Sequence, residues 1–348
     1  MPNTGPDAPG RLPRRMAVQV AVAAIFDEAG RVLIARRPEH LHQGGLWEFP
    51  GGKVEANESV FEALVRELDE ELGIAVQAAR PLIRVRHDYP ELSVVLDVWR
   101  VDGFSDTAVL QADTGREGQV IKWVRPEALP EYDFPAANRP IITAVRLPDR
   151  YLITPDPGEN MPAFLAQLEN RLREGVRLVQ LRAKSLSTEA YAVLARQCVT
   201  LCEQYAARLL LNADPQLVMQ VGAHGVHLDS ERLASLTEPP FLSQVPELGG
   251  AGNSNVKWVS ASCHSEQQLE QARRLGADFV VLSPVAATAS HPGAQPLGWA
   301  RFQQLTALAG CPVYALGGMT PADRQQAFAQ GAQGVAAIRA LWKFSAEC

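Results

Sequence analysis

Cysteine is scarce in this 348-residue chain: Cys198, Cys202, Cys263, Cys311 and Cys348 are scattered, odd in number and without metal-ligand spacing. That usage argues against a disulfide framework or a thiolate metal site and suits a reducing compartment. Cys198 and Cys202 lie four apart in an apolar stretch, which predicts core packing on one helix face. Long hydrophobic runs are missing too, none approaching the ~20 residues that span a bilayer. No membrane partner is expected. Residues 1–15 are rich in Pro, Gly and Arg without an apolar run, so they read as a disordered tail rather than a signal peptide, and a cytoplasmic protein is expected. Positive charge is in short supply: 33 Lys and Arg stand against 39 Asp and Glu, a net charge of −6. Such a balance leaves no electrostatic footprint for long nucleic acids, so any nucleotide handled is a free one, held through a metal.

What is present is hydrophobic content of 47%, enough for full cores, in a length that suits two domains. The first half alternates strands with few helices: Ala17 to Phe26, Arg31 to Ala35, Leu82 to His87, Ser93 to Val101 and Val120 to Val124. This is an α+β pattern with a mixed sheet. Pro148-Asp149-Arg150 reads as a short linker, after which short apolar runs recur, each followed by a helical pattern. They are Tyr151–Thr154, Leu178–Arg182, Leu209–Asn212, Gly225–Leu228, Trp258–Ser262, Phe279–Pro284, Val313–Gly318 and Gly334–Ile338. Eight strand-helix units predict a (β/α)8 TIM barrel. The domains are thus expected at 16–147 and 148–348, with Glu238 to Asn255 as a long loop.

One segment is far from random. Gly52, Glu58, Arg66, Glu67, Glu70, Glu71 and Gly73, with Leu68 and Ile74, fit G-x5-E-x7-R-E-U-x-E-E-x-G-U at every position. With usages of roughly 5–7% per residue type, a chance match is on the order of one in a billion per start. Ser59 and Glu62 form a capping box, Phe61, Leu64, Val65 and Leu68 an apolar stripe, and Gly73 a left-handed stop, so the segment is a short helix. Glu67, Glu70 and Glu71 share one face of it. Carboxylates crowded in this way repel one another, and a hard divalent cation is the usual remedy; the plain alternative is a solvated acidic face braced by pairs such as Glu62 with Arg66.

The run resembles the box of the Nudix hydrolases, and most closely their MutT-type branch, which removes oxidised purine nucleoside triphosphates. Trp47-Glu48-Phe49-Pro50-Gly51-Gly52-Lys53 is similar to the loop entering the box, and Phe134-Pro135-Ala136-Ala137-Asn138-Arg139-Pro140 to the base-reading segment. The resemblance implies a magnesium or manganese ion on Glu67, Glu70, Glu71, the carbonyl of Gly51 and Glu117, with Glu67 the candidate general base. Glu58 and Arg66 join this catalytic set, Arg66 tying down the acidic loop through Glu58. For the substrate it implies Arg37, His42, Glu48, Phe49, Pro50, Gly51 and Asn138, whose side-chain amide offers donor and acceptor to an oxidised guanine edge. Trp47 and Phe134 serve either the base or the core, and His42 is either a ligand or a surface histidine.

Residues 151–342 resemble thiamine phosphate synthase and its TenI-like relatives, on Gln180-Leu181-Arg182-Ala183-Lys184, Gly225-Val226-His227-Leu228, Ser262-Cys263-His264-Ser265 and Ala315-Leu316-Gly317-Gly318-Met319. A small phosphate ligand held by Gln180, Arg182, Lys184, Asn212, Gly317 and Gly318 is implied, with His264 in the place of the tautomerases' catalytic His. The departures are Ala213 where a synthase has a magnesium-binding Asp, Asp229-Ser230-Glu231-Arg232 for a Gly-Gln-acidic-acidic segment, and His291 for a loop Lys. Three readings stand: an oxidised-dGTP pyrophosphohydrolase with a thiazole-phosphate-handling barrel, a hydrolase of another nucleoside or thiamine-related diphosphate, and a hydrolase whose barrel only binds a ligand.

Overall fold

The computed structural model describes residues 17–40, 43–105, 107–241, 257–288, 293 and 295–343. The expected tail at 1–15, His42, His291 and most of the loop from Glu238 to Asn255 lie outside the described residues.

The first half contains β1 (Val18–Ile25), β2 (Val32–Arg36), β3 (Trp47–Glu48), β4 (Gly51–Lys53), α1 (Val60–Leu72), β5 (Ala75–Asp88), β6 (Ser93–Ser105), β7 (Ile121–Val124) and α2 (Arg139–Arg146). Its larger sheet runs β4-β1-β6-β5, with β1 and β6 parallel and the other pairs antiparallel; a second sheet runs β3-β2-β7. The mixed sheet expected from the sequence is present. Side chains alternate across a strand, so Ala21, Ala23 and Ile25 of β1 meet Leu64 and Leu68 of α1, while Val22, Ala24 and Phe26 meet Ile141, Ala144 and Val145 of α2. The sheet is therefore covered on both faces. Ser59 caps α1 through the reciprocal box with Glu62, and Gly73 ends it at φ 71°. Phe61, expected in the apolar stripe, packs on Trp99 at 5.0 Å but stays 40% exposed. Strand β5 begins at Ala75, well before the Leu82–His87 run; its first half is exposed or half-buried and pairs with β6 through register shifts, so it carries little apolar alternation.

The second half closes eight parallel strands into a barrel. They are β8 (Arg150–Ile153), β9 (Leu178–Leu181), β10 (Arg208–Leu211), β11 (Gly225–Leu228), β12 (Trp258–Cys263), β13 (Phe279–Leu282), β14 (Val313–Leu316) and β15 (Gly334–Ala337). The interleaved helices are α3 (Met161–Arg173), α4 (Thr188–Gln204), α5 (Pro215–Val221), α6 (Ser230–Ser235), α7 (Glu266–Arg274), α8 (Gly298–Ala309), α9 (Arg324–Ala329) and α10 (Arg339–Trp342). Tyr151, Phe279 and Tyr314 fill the barrel interior, and Cys198 and Cys202 sit buried on α4. Among the described residues no helix is long and apolar enough to cross a membrane.

Candidate functional site

In the first half, the pairing of β4 with β1 puts Gly51 and Gly52 beneath the acidic face of α1. A Cβ on Gly52 would stand 2.1 Å from the Glu67 carboxyl carbon, and one on Gly51, at φ 142°, 2.1 Å from the Ala21 carbonyl. Only glycine lets the strand pass so close under a carboxylate. The Gly51 N–H donates to Glu71 Oε2 at 3.1 Å. The turn at residues 115–119 is pinned to the end of the same helix, Arg116 N and Gln119 Nε2 both donating to the Glu71 carbonyl at 2.8 and 3.2 Å. That brings Glu117 close enough to act on Glu71. Burial pushes the Glu71 carboxyl up to about 8, opposed by the Gly51 N–H and reinforced by the negative charges of Glu48, Glu67 and Glu117.

Arg66 organises the remaining acids. It donates to Glu58 Oε1 at 2.8 Å, to Glu67 Oε1 at 2.9 Å, to Glu70 Oε2 at 3.2 Å and to the Lys53 carbonyl at 3.1 Å. Glu62 is spent on the capping box, so the Glu62–Arg66 brace is not what forms. The structure thus gathers Glu48, Glu67, Glu71 and Glu117, while the Glu70 side chain turns outward, 55% exposed. Among the described residues no three His, Cys, Asp or Glu side chains make a closed ligand set. The donors are all oxygens, and a buried carboxyl raised by neighbouring acids is the environment a hard divalent cation relieves, so these residues fit such an ion.

Arg37 is ion-paired to Glu48, whose carboxyl is raised by burial against that pairing. Phe49 stacks on Phe134 at 5.5 Å and Trp47 meets Tyr132 edge-on at 5.4 Å, placing both expected aromatics against protein. Asn138, 8% exposed, stands at the N-cap of α2, yet its side chain makes no capping bond.

The barrel has its own site. An open cavity of about 700 Å³ at the C-terminal ends of the strands takes in Gln180, Arg182, Lys184, Asn212, His264 and Gly317-Gly318. Both glycines have positive φ, 97° and 70°, and a Cβ on Gly317 would stand 2.7 Å from Pro284. The His264 Nδ1–H donates to the Ser283 carbonyl at 2.6 Å, which in the neutral ring leaves Nε2 to accept from Ser230 Oγ at 3.0 Å. Ser230 and Arg232 escaped sequence reasoning as partners in this mouth. Arg232 Nη1 donates to Asn212 Oδ1 at 3.1 Å and to Asp229 Oδ2 at 2.8 Å, and Asn212 in turn reaches Gln180 at 3.5 Å.

Two family profiles divide the chain. One described as "NUDIX domain" matches residues 21–144, and one described as "Thiamine monophosphate synthase" matches residues 150–341. CTP pyrophosphohydrolase of Escherichia coli is 41% identical over 123 residues, 35% of this chain and 87% of that protein. 8-oxo-dGTP diphosphatase of the same species is 34% identical over 129 residues, 37% of this chain and 96% of that protein. Thiamine-phosphate synthase of Lysinibacillus sphaericus is 34% identical over 184 residues, 51% of this chain and 80% of that protein. The chain belongs to both families. Its Nudix half and its synthase-family half each come from a family of enzymes acting on small molecules, and Nudix hydrolases generally use divalent metal ions.

Below the synthase-family mouth, His227 is buried, its Nδ1 2.9 Å from Ser260 Oγ and its Nε2 2.9 Å from Ser262 Oγ. Burial pulls its pKa down to about 3. The unfolded chain, with an ordinary His near 6.5, then binds more protons between that pH and about 3. Stability should fall as pH drops through this window. Thermal melts from pH 7 to pH 4 should show a smaller acid loss in His227→Gln than in the parent; an equal loss would sink the assignment.

Proposed function

We propose that the Nudix half is a magnesium- or manganese-dependent pyrophosphohydrolase that converts oxidised dGTP to the monophosphate and pyrophosphate, clearing it from the nucleotide pool. The observation that carries the reading is the gathering of acids beneath α1: Glu71 accepts from the Gly51 N–H at 3.1 Å, Glu67 stands over Gly52, and the turn at residues 115–119, pinned to the Glu71 carbonyl, brings in Glu117. A divalent cation there would be held by Glu67, Glu70, Glu71, Glu117 and the Gly51 carbonyl, and would supply charge to neutralise phosphoryl oxygens. Glu67, aimed over Gly52 and steadied by Arg66, takes the proton of the water that breaks the bridge between the α- and β-phosphates. Arg66 also holds the Glu58 loop closed behind it. Arg37, Glu48, Phe49, Pro50 and Asn138 form the nucleotide's surroundings, and the Asn138 amide, not used in capping, reads the base edge.

Asn138→Ala should cost about 1–3 kcal/mol in kcat/KM for 8-oxo-dGTP, because a bidentate reader leaves both partners unpaired. The check is kcat/KM of the full chain for 8-oxo-dGTP, dGTP and CTP with magnesium. Likeness to CTP pyrophosphohydrolase at 41% identity favours a second reading, a pyrimidine triphosphate as substrate. Preference for CTP over 8-oxo-dGTP would replace the first reading by the second.

The synthase-family half, in our reading, holds a small organic phosphate in its mouth. Arg182, Lys184 and the backbone at Gly317-Gly318 take the phosphate, with His264 Nε2, hydrogen-bonded to Ser230 Oγ, as the proton-transfer group.

A further inference from the structure

The two halves meet through β5, whose Arg80 guanidinium lies 3.7 Å from the ring centre of Phe328 on α9, and through α2, which sits at the barrel's floor. Arg208 opens β10, Trp258 opens β12, and Asp278 and Gln333 directly precede β13 and β15, so all four lie at the N-terminal ends of the strands, opposite the ligand mouth. The last carbonyls of a helix have no partners within it. Here barrel side chains serve them, at Ala144 alongside the Leu147 N–H, which donates to the same carbonyl at 3.3 Å. Gln333 Nε2 donates to the Ala144 carbonyl at 3.1 Å and the Leu147 carbonyl at 2.8 Å, and Arg208 Nη1 donates to the Arg146 carbonyl at 2.9 Å. Gln333 is 2% exposed, so these bonds are made away from water. Arg208 also puts a cation at the negative end of the helix. The guanidinium groups of Arg146 and Arg208 lie 5.3 and 4.6 Å from the Trp258 ring centre, and the half-buried Asp278 acts on Arg139 and Arg146.

The opposite end of α2 begins one residue after Asn138. Asn138 itself caps nothing, so the helix is held from its far end and along its side rather than from the nucleotide segment. We infer that Gln333 and Arg208, residues of the barrel, are positioning residues for nucleotide recognition in the Nudix half: by fixing α2 they fix the Phe134–Asn138 segment at its start. The catalytic acids stand on α1, across the sheet from α2, and are outside this support. The same geometry sends the barrel's mouth away from the Nudix half, so the two sites do not share a ligand path.

This inference rests on the nucleotide-hydrolase reading for its kinetic test, and exchange rates supply a test that does not. In the full chain, Gln333→Met keeps the bulk and removes both donors, Arg208→Met removes the third, and Arg208→Lys restores a donor. KM for the preferred triphosphate should rise about tenfold in Gln333→Met and Arg208→Met while kcat stays within about twofold, and Arg208→Lys should recover most of the loss. A variant that is merely less folded lowers kcat through its active fraction and leaves KM alone. Amide hydrogen exchange over residues 134–146, measured without substrate, should quicken in the two Met variants. Unchanged KM in both, beside a raised KM in Asn138→Ala, overturns the positioning role while leaving the hydrolase reading intact. Exchange as slow as the parent's overturns it whatever the substrate proves to be.

Discussion

Glu67→Gln and Glu71→Gln are each expected to lower nucleotide hydrolysis by orders of magnitude while the fold stays intact. A glutamine amide has nearly the shape of the carboxylate but neither its charge nor its basicity, so it cannot replace it on a hard cation or as a proton acceptor. Glu71 should be the cleaner probe. Its carboxyl is touched by the Gly51 N–H, and three other acids act on it. With its pKa pushed up to about 8 the metal-free carboxyl is mostly neutral at pH 7, so Glu71→Gln, close in shape to that form, should melt no lower than the parent while losing affinity for magnesium. Phosphate release under saturating magnesium, with a melting curve and calorimetric titration of the metal, makes the check. Turnover near the parent's in both variants would sink the metal assignment. Glu70→Gln gives a graded comparison: its side chain is turned to Arg66 and mostly exposed, so a loss as large as that of Glu71→Gln would require it to swing inward on metal binding.

The second large effect is an absence of growth. Expressed in a thiamine-requiring strain that lacks thiamine phosphate synthase, the full chain is expected not to restore growth, despite its membership of that family. The cause lies at the barrel mouth. Ala213 carries no ligand where the resemblance places an acid, and Arg232 puts a guanidinium between Asn212 and Asp229, ion-paired to the latter. A cation fixed there opposes a divalent metal and leaves a mouth suited to a phosphate alone. Calorimetry with a thiazole phosphate should show binding that does not need magnesium, and Arg182→Ala should weaken it. Restored growth would refute the claim. An Ala213→Asp, Arg232→Asp double variant tests the cause from the other side, since any gain in magnesium-dependent binding traces the loss to these two positions.

Much of this protein was legible in order along the chain. The α1 boundaries followed from Ser59, Glu62 and Gly73, because capping is a matter of neighbours three and four residues apart. The eight barrel strands followed from short apolar runs, since strands buried on both faces need nothing polar, and they differ from the expected spans only by a residue or two at the ends. Glu67, Glu70 and Glu71 on one helical face were equally readable.

Other features depended on contacts between distant segments. The first half of β5 has no buried residue and resembles loop, and only its pairing with β6 makes it strand. The outward turn of Glu70, the ion pair of Arg37 with Glu48, the approach of Glu117 to Glu71 and the place of Arg232 over Asn212 are decided by which residues meet across the fold. So is the seat of α2 on the barrel, where Gln333 reaches carbonyls 186 and 189 positions earlier. The sequence by itself determined the two folds and the chemical equipment of each site, because periodicity, capping and motif spacing act over a few residues. The Arg66–Glu58 pair apart, the tertiary structure decided how these charges are partnered and how the halves are joined, because a carboxylate's environment and a helix end's donors come from residues that only folding brings near.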